Sequence, residues 1–258
     1  MNESNKIGYK ELVKVFFRSF FIQAFYNYQS MLAIGFCYAL MPIGKKLFKN
    51  QEKRKKFYLR HLHFFNAHPY FSSYALGAIS RLEEDQANDD NENYHKIERL
   101  KNALIGPLGA IGDQLIWFTI RPASILFGMA FILICKDIKL QLFILAILFI
   151  IYNIPHIYIR FSGIINGYRQ GVNVYKLLTL QNFKFLRNIY RTTGALSIGI
   201  LFCYSILTYS SENILYGLIF LFSMVSAYLY KKFRQSFYGS ILVPLVISVL
   251  LGVLIENL

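Results

Sequence analysis

The residues best suited to chemistry lie in segment 101–122, KNALIGPLGAIGDQLIWFTIRP. Asp113 and Gln114 follow a run of glycines, Trp117 comes about one helical turn later, and Arg121 closes the segment. A carboxylate and an amide can pair with sugar hydroxyls, and an aromatic face can stack on the C–H face of a pyranose. Two compatible interpretations stay open. These side chains bind a sugar, or Asp113 and Arg121 form an internal ion pair that closes a helix bend.

The glycines and prolines of the same segment predict a broken helix at 105–122. Both residue types weaken a helix interior. Inside a membrane, irregular backbone is tolerated only where it lines a cavity or is buried in protein. The residues expected to form the break are Gly106, Pro107, Gly109, Gly112 and Pro122.

A second polar group lies in segment 60–69, RHLHFFNAHP. Asn66 and His68 precede Pro69, and we expect them to cap a helix and to line a polar pocket. Glu83 and Glu84 follow the next apolar run and complete the set of candidate residues for a translocation pathway. His61 and His63 point apart on a helix because they are two residues apart, so no metal site is predicted.

No arrangement of catalytic residues is visible in the sequence. It contains no GxSxG, HExxH or CxxC pattern, and no GK[ST] follows the glycines, so a phosphate-binding loop is also excluded. Three cysteines lie far apart in apolar stretches, which argues against disulfides and zinc. We therefore expect a chain that is not an enzyme on its own and needs no cofactor.

Composition indicates a membrane protein. Apolar residues make up 55% of the chain and charged residues 16%, whereas soluble domains carry about 25% charge. The net charge of +14 would also suit a nucleic-acid-binding protein. Here, however, the charge falls in blocks between apolar runs, as it does in the loops of membrane proteins.

Five segments are long and apolar enough to span a bilayer of about 30 Å. They are 115–135, which Arg121 and Pro122 interrupt, 140–159, 193–210, 213–230 and 237–255. Lysine and arginine concentrate in 160–192 and 231–236, which predicts that both segments are cytoplasmic. An odd number of spans then places the N-terminus in the cytoplasm and the C-terminus outside.

The N-terminal half has shorter apolar segments. Residues 1–25 predict a cytoplasmic amphipathic helix with a basic polar face, suited to an anionic membrane surface. The alternative is an ordinary packed helix. Segments 31–44 and 69–82 are too short to span and predict re-entrant hairpins, with basic residues at 45–60 and acidic residues at 83–92 beside them.

These patterns together predict an all-α membrane protein. It is a multi-span helical bundle with an N-terminal amphipathic surface helix, short re-entrant helical hairpins and a broken helix at 105–122. Residues 26–258 form a single membrane domain. No basic n-region followed by a short apolar segment is present, so no cleavable signal peptide is expected.

Three stretches of this sequence resemble the IID component of the mannose/fructose/sorbose-type sugar phosphotransferase systems of bacteria. They are MLAIGFCYALMP at 31–42, RHLHFFNAHPYFSSYALGAISRLEE at 60–84 and IGPLGAIGDQLIWFTIRP at 105–122. The resemblance covers most of the chain in order, is most specific in 60–122, and after about 180 rests on hydropathy alone. The family motif maps onto Arg60, His61, Phe64, Phe65, Asn66, Pro69, Gly77, Glu83, Glu84, Gly106, Pro107, Gly112, Asp113, Trp117, Arg121 and Pro122.

The resemblance implies a partner and a mechanism. The IID component of this family pairs with a IIC membrane subunit of similar fold and opposite orientation, in a trimer of IIC–IID pairs that resembles an elevator-type transporter. Soluble IIA and IIB domains phosphorylate the sugar, and IID itself is not phosphorylated. Three features depart from the family pattern: His63 stands where an acidic residue is common, Phe118 stands where glycine is usual, and 83–101 has fewer small residues than expected. Trp117 and Phe118 would narrow the expected cavity, which leaves the sugar's identity open.

Three functions compete at this point. The chain helps to translocate a hexose or amino sugar in the cell membrane, it is an assembly scaffold without transport activity, or it is a membrane-embedded enzyme. The last function would have to use Asp113, His68, Glu83 or Glu84, since these are the ionisable candidates.

Overall fold

The protein is built of helices. The computed structural model describes residues 6–88, 94–212, 214–234 and 237–256. Its helices are α1 (Tyr9–Ser19), α2 (Ala33–Leu47), α3 (Gln51–His61), α4 (Ser72–Ala87), α5 (His95–Gly112), a π-helix (Asp113–Ile120), α6 (Arg121–Ile134), α7 (Ile138–Gln170), a 3-10 helix (Gly171–Leu177), α8 (Lys184–Glu212), α9 (Ile214–Arg234) and α10 (Phe237–Glu256). The predicted all-α membrane class is confirmed.

Three helices within the described residues are long and apolar enough to cross a membrane. They are His95–Ile134, Ile138–Leu177 and Lys184–Thr208, and they contain most of the first three predicted spans. Helices α9 and α10 occupy the last two predicted spans, although Asn213, the first residue of one of them, lies outside the described residues. Asp89, Asp90 and Glu92 of the predicted acidic stretch lie outside them as well.

Helix α1 packs with one face and exposes the other. Leu12 and Val15 are buried, whereas Phe17 is 63% exposed. The helix contacts α2 and α7, so the packed-helix interpretation holds for one of its faces. The other face exposes aromatic side chains beside Lys10 and Lys14. This face is compatible with the predicted membrane-surface role, which stays a prediction.

The short helices α2 and α4 form the centre of the core rather than a periphery. Phe36, Leu40, Leu76 and Ile79 are fully buried, because α2 packs against α1, α3 and α4, and α4 packs in addition against α5 and the long helix α7.

Helices α4 and α7 approach so closely that only glycine fits between them. A Cβ at Gly77 would lie 2.2 Å from the carbonyl oxygen of Ile164, and one at Gly167 would lie 2.3 Å from that of Tyr74. Small residues allow this backbone approach, which is a common way of packing helices in membranes.

Candidate functional site

The helix predicted to break at 105–122 is continuous in the structure from His95 to Ile134, so the predicted break is wrong. The glycines at 106, 109 and 112 and Pro107 lie within α5, and the irregular part of the helix is the π-helix Asp113–Ile120, which follows them. The backbone N–H of Arg121 donates to the carbonyl of Ile116 five residues earlier. Pro122 has no N–H for the carbonyl four residues before it, which favours a local change of hydrogen bonding. Such π segments within α-helices occur frequently at functional sites.

A cavity of about 640 Å³ opens beside this segment, between α6 and α7. We call it the π-helix cavity. Its polar side is formed by Gln23, Tyr70, Trp117, Arg121, Ser124, Tyr152 and Asn153, and its apolar side by Ile125, Leu145, Leu148 and Phe149. Two amides, a guanidinium and four aromatic rings thus line one space, a combination that suits a small polyhydroxylated ligand.

Aromatic and imidazole rings hold the polar side in place. The hydroxyls of Tyr70 and Tyr152 lie 3.2 Å apart. The Tyr70 ring stacks on His156 with centroids 4.5 Å apart, and Nε2 of His156 lies 2.8 Å from Oδ1 of Asn153. Trp117 meets the buried His68 edge-on, with ring centroids 5.1 Å apart. Four lining residues, Tyr70, Trp117, Tyr152 and Asn153, are therefore held in place by neighbouring side chains.

Gly112 allows His68 to reach this position. A Cβ at Gly112 would lie 2.2 Å from the Cβ of His68, whereas one at Gly106 or Gly109 would meet nothing within 4 Å. Of the three regularly spaced glycines, therefore, only Gly112 is required by packing within this chain.

Arg160 is a residue that sequence reasoning misplaced. It was counted among the cations of a cytoplasmic segment, but it lies inside α7, 3% exposed. Its Nη1 donates to the carbonyl oxygen of Ser19 at 2.6 Å, and its guanidinium lies 4.8 Å from the Tyr70 ring centroid. It thus caps the C-terminal end of α1 and puts a positive charge behind the π-helix cavity.

The structure separates the residues predicted in 113–121. Trp117 and Arg121 line the π-helix cavity, whereas Asp113, which is partly buried, and Gln114, which is exposed, are not among its lining residues. The alternative of an Asp113–Arg121 ion pair is wrong, since the ion pairs among the described residues join Arg60 or His61 to Glu83, and Arg81 to Asp85.

Glu83 lies in a different cluster, which we call the Glu83 lock and define as Arg60, His61 and Glu83. Nε and Nη2 of Arg60 donate to the two carboxylate oxygens at 2.6 and 2.5 Å, and Nε2 of His61 lies 2.9 Å from Oε1. Burial alone would raise the pKa of Glu83, but hydrogen bonds from Arg60 and His61 hold that pKa below its ordinary value. The lock ties α3 to α4.

Burial governs the protonation of His61. It lowers the pKa of His61, although the Glu83 carboxylate acts in the opposite direction. The neutral ring then donates from Nε2 to Glu83, and Nδ1 has no hydrogen-bond partner within the part of the chain that the structure describes.

Glu84 and the 66–68 segment lie outside the Glu83 lock. The Glu84 carboxylate accepts the N–H of Ile7 at 2.9 Å and the hydroxyl of Tyr168, so it fastens the start of α1. Asn66 is exposed, and α4 has no side-chain cap. His68 does accept the N–H of Tyr70 through Nδ1 at 3.3 Å, just before α4 begins.

Comparison with known proteins places the chain in a family. The model of the "PTS system mannose/fructose/sorbose family IID component" matches residues 6–255. The chain belongs to this IID family. The sequence resemblance at 31–42, 60–84 and 105–122 is therefore confirmed.

Relatives and solved structures agree with this membership. The IID chain is 33% identical over 172 residues to the mannose-specific EIID component of Escherichia coli K12, covering 66% of this chain and 59% of that relative. It is 29% identical over 200 residues to the fructose permease IID component of Bacillus subtilis 168, covering 78% and 69%. A structure of the mannose transporter ManYZ with microcin E492 superposes with a TM-score of 0.60 at 30% identity, covering 76% and 70%.

Proposed function

We propose that this IID chain acts with a IIC subunit in the bacterial cell membrane to translocate a hexose or amino sugar, which separate IIA and IIB domains phosphorylate. The IID chain supplies no catalytic group of its own. The observation that carries the proposal is the π-helix cavity, where aromatic, amide and guanidinium groups converge in a member of a sugar-transport family. Pockets for small ligands have about this volume, with few polar groups on a mainly apolar wall.

The chemistry of the lining groups favours a sugar over an apolar ligand. Gln23 and Asn153 carry amides, which both donate to and accept from hydroxyl groups. Arg121 donates only, and the rings of Tyr70 and Trp117 supply apolar faces. Because the cavity is open, we propose that the IIC subunit covers its exposed side and completes the path. A structure similar to this chain is the ManYZ transporter, which supports a membrane partner of the IIC kind.

Asp113 and Gln114 belong to the same proposal. They stand one turn before Trp117 on the same helix, outside the cavity. We assign them, together with Asn66, to the part of the pathway that the IIC subunit shares. The buried Glu83 and Glu84 position the helices of the pathway, and they act through His61, Tyr168 and the backbone rather than by touching sugar.

The proposed orientation keeps the N-terminus in the cytoplasm and the C-terminus outside. Arg160 no longer counts as a loop cation because it is buried. Five cations remain between 169 and 191, namely Arg169, Lys176, Lys184, Arg187 and Arg191. The positive-inside rule therefore still favours a cytoplasmic position for this segment.

The test is phosphoenolpyruvate-dependent phosphorylation of labelled hexoses by membrane vesicles that contain the IIC and IIA/IIB proteins, with and without the IID chain. We expect phosphorylated sugar inside the vesicles only when the IID chain is present, and we expect Asp113→Ala to abolish it without loss of membrane insertion. Equal uptake without the chain would favour the scaffold function. Normal uptake by Asp113→Ala would remove Asp113 from the pathway.

A further inference from the structure

A second cavity, of about 280 Å³, lies between the end of α3 and the start of α5. We call it the α3–α5 cavity. Basic nitrogen groups dominate its lining, which includes Arg60, His61, His63, His95, Lys101 and one carboxylate, Glu98. None of the cationic side chains here was assigned a role in sugar binding.

Lys101 is the central group of this cavity. Its side chain is 2% exposed, and its Nζ donates to the carbonyl oxygens of His61 at 3.2 Å and His63 at 2.8 Å. Within the described residues it forms no ion pair. An ammonium group has three N–H donors, so one remains for a ligand in the cavity that Lys101 lines. A buried ammonium without a carboxylate partner is costly, and a bound anion would offset that cost.

Two further groups offer donors or acceptors to the same space. Arg60 uses Nε and one N–H of Nη2 for Glu83, which leaves three of its five N–H donors. Its guanidinium lies 4.0 Å from the ring centroid of Tyr94, which fixes its plane. His61 is 1% exposed, and its Nδ1, which has no hydrogen-bond partner among the described residues, is an acceptor because Nε2 donates to Glu83. The donors therefore come from Arg60 on α3 and Lys101 on α5.

The charges favour an anion over a neutral ligand. Glu83 is committed to Arg60 and His61 within the Glu83 lock. Glu98 is exposed and makes no ion pair within the described residues. His63 and His95 are exposed where the cavity opens. A phosphate monoester presents three terminal oxygens, which match donors arriving from several directions better than the two oxygens of a carboxylate do.

We propose that the α3–α5 cavity binds the phosphate group of a small phosphate monoester. The volume of the cavity leaves room for an organic group beside the phosphate. The identity of that group rests on the proposed function: if the function holds, the group is a sugar. The ligand is then the phosphorylated product on its way to the cytoplasm. The basic helix α3 borders the cavity.

This cavity is separate from the π-helix cavity. Lys101 and Arg121 stand 20 positions apart on one continuous helical stretch, which corresponds to about 30 Å at the rise of an α-helix. Trp117 is the single tryptophan of the chain and lines only the first cavity of the two. Its fluorescence therefore reports ligands at the π-helix cavity, whereas calorimetry reports both.

The experiment is titration calorimetry of the purified full chain in detergent with hexose 6-phosphate, with the same hexose, and with the headgroup diester glycerophosphoglycerol. We expect hexose 6-phosphate to bind through the α3–α5 cavity with no change in Trp117 fluorescence. Lys101→Gln is expected to weaken this binding about tenfold or more, since it removes a charge-assisted donor. Lys96→Gln, on the exposed side of the same helix, is the matched control and should bind as the native chain does.

Lys101→Gln could fail to fold because Lys101 also holds the end of α3, so the double variant His63→Ala, His95→Ala provides an independent test. Both histidines are exposed, and their loss should weaken hexose 6-phosphate binding about threefold or more. Unchanged affinity in a folded Lys101→Gln or in the double variant would overturn the proposal, and so would tighter binding of the diester, which would indicate a lipid headgroup site. Because binding is measured without IIC, IIA or IIB, failure of sugar uptake alone leaves this result standing.

Discussion

The Glu83 lock and the π-helix segment each contain an acidic residue and an arginine. The two residues form an ion pair in the lock but not at the π-helix. In the lock, Glu83 is fully buried and both its oxygens accept hydrogen bonds from Arg60 and His61. On the π-helix, Asp113 is partly buried, and it forms no ion pair with the exposed Arg121.

This difference separates residues that stabilise the fold from residues that are available to a ligand or partner. A buried carboxylate must be paired, and once paired it has no hydrogen-bonding capacity left for a substrate. An arginine on a membrane helix that lacks a partner within its own chain is more often functional. The comparison can be tested by removing one group at a time from each region.

The largest effect is expected for Glu83→Ala. It leaves Arg60 and His61 without their acceptor in a buried position, and loss of one partner of a buried pair costs about 3–5 kcal/mol. We expect a large fall in the unfolding temperature and poor recovery of folded protein in detergent, measured by thermal unfolding and size-exclusion chromatography.

Asp85→Ala is the matched control for this change. Asp85 pairs at 3.0 Å with Arg81, one turn earlier on the same helix, but both side chains are substantially exposed. A surface pair of this kind contributes at most about 1 kcal/mol. Similar stability losses in the two variants would show that the lock does not differ from an ordinary surface pair.

The next effect concerns the glycines before the π-helix. Gly112→Ala places a methyl group against His68, and overpacking of this kind costs about 1–3 kcal/mol. It should also displace the Trp117 ring, which contacts His68. We expect a lower unfolding temperature and a shifted tryptophan emission maximum.

Gly109→Ala should leave both measurements unchanged or slightly raise stability, because nothing lies within 4 Å of its Cβ and alanine favours a helix. If both alanine variants behave alike, the packing of Gly112 against His68 is not what fixes Trp117.

These glycines show how far the sequence could be interpreted. Their spacing predicted a break, but the helix is continuous and its π-helical part begins only after Gly112. The spacing also could not distinguish Gly112 from Gly109, because the difference is a contact with His68, which is 44 residues away. Hydropathy did locate the long helices, because it depends only on local composition. The partners in the π-helix cavity, such as Tyr70 and Tyr152, meet only through helix packing.

Arg160 shows the same limit from the other side. A cationic residue that follows an apolar run is interpreted as part of a loop. Hydropathy depends on the position of the residue along the chain and not on the direction of its side chain. Its burial depends on the carbonyl of Ser19 at the end of α1, 141 residues away.

A smaller effect, on transport rather than folding, is expected from two adjacent aromatic residues. Trp117 lines the π-helix cavity, whereas its neighbour Phe118 is 79% exposed and does not. Trp117→Ala should weaken apparent sugar affinity about tenfold in vesicle uptake, because a stacking face is lost, and Trp117→Phe should restore part of it. Phe118→Ala should have little effect. Equal losses at both positions would indicate a general change in helix packing instead of a sugar contact.

The smallest effect is expected from titrating the Glu83 lock. Glu83, Arg60 and Lys101 face His61 from α4, α3 and α5. The pKa of His61 in the folded chain lies below its ordinary value. As the pH falls below about 6.5, His61 therefore binds a proton in the unfolded chain but not in the folded chain. Stability therefore decreases toward acid, by at most about 1.4 kcal/mol per pH unit from this one group.

His61→Gln keeps an N–H donor for Glu83 and cannot titrate, so the unfolding temperature of this variant should fall less steeply between pH 7 and pH 5 than that of the native chain. Other histidines titrate in both proteins and cancel in the difference. Parallel curves would mean that the pKa of His61 is the same in the folded and the unfolded chain. A steeper fall in the variant than in the native chain would mean that His61 is charged in the fold, and the Glu83 lock would then be an ion triad in which the carboxylate balances two cations.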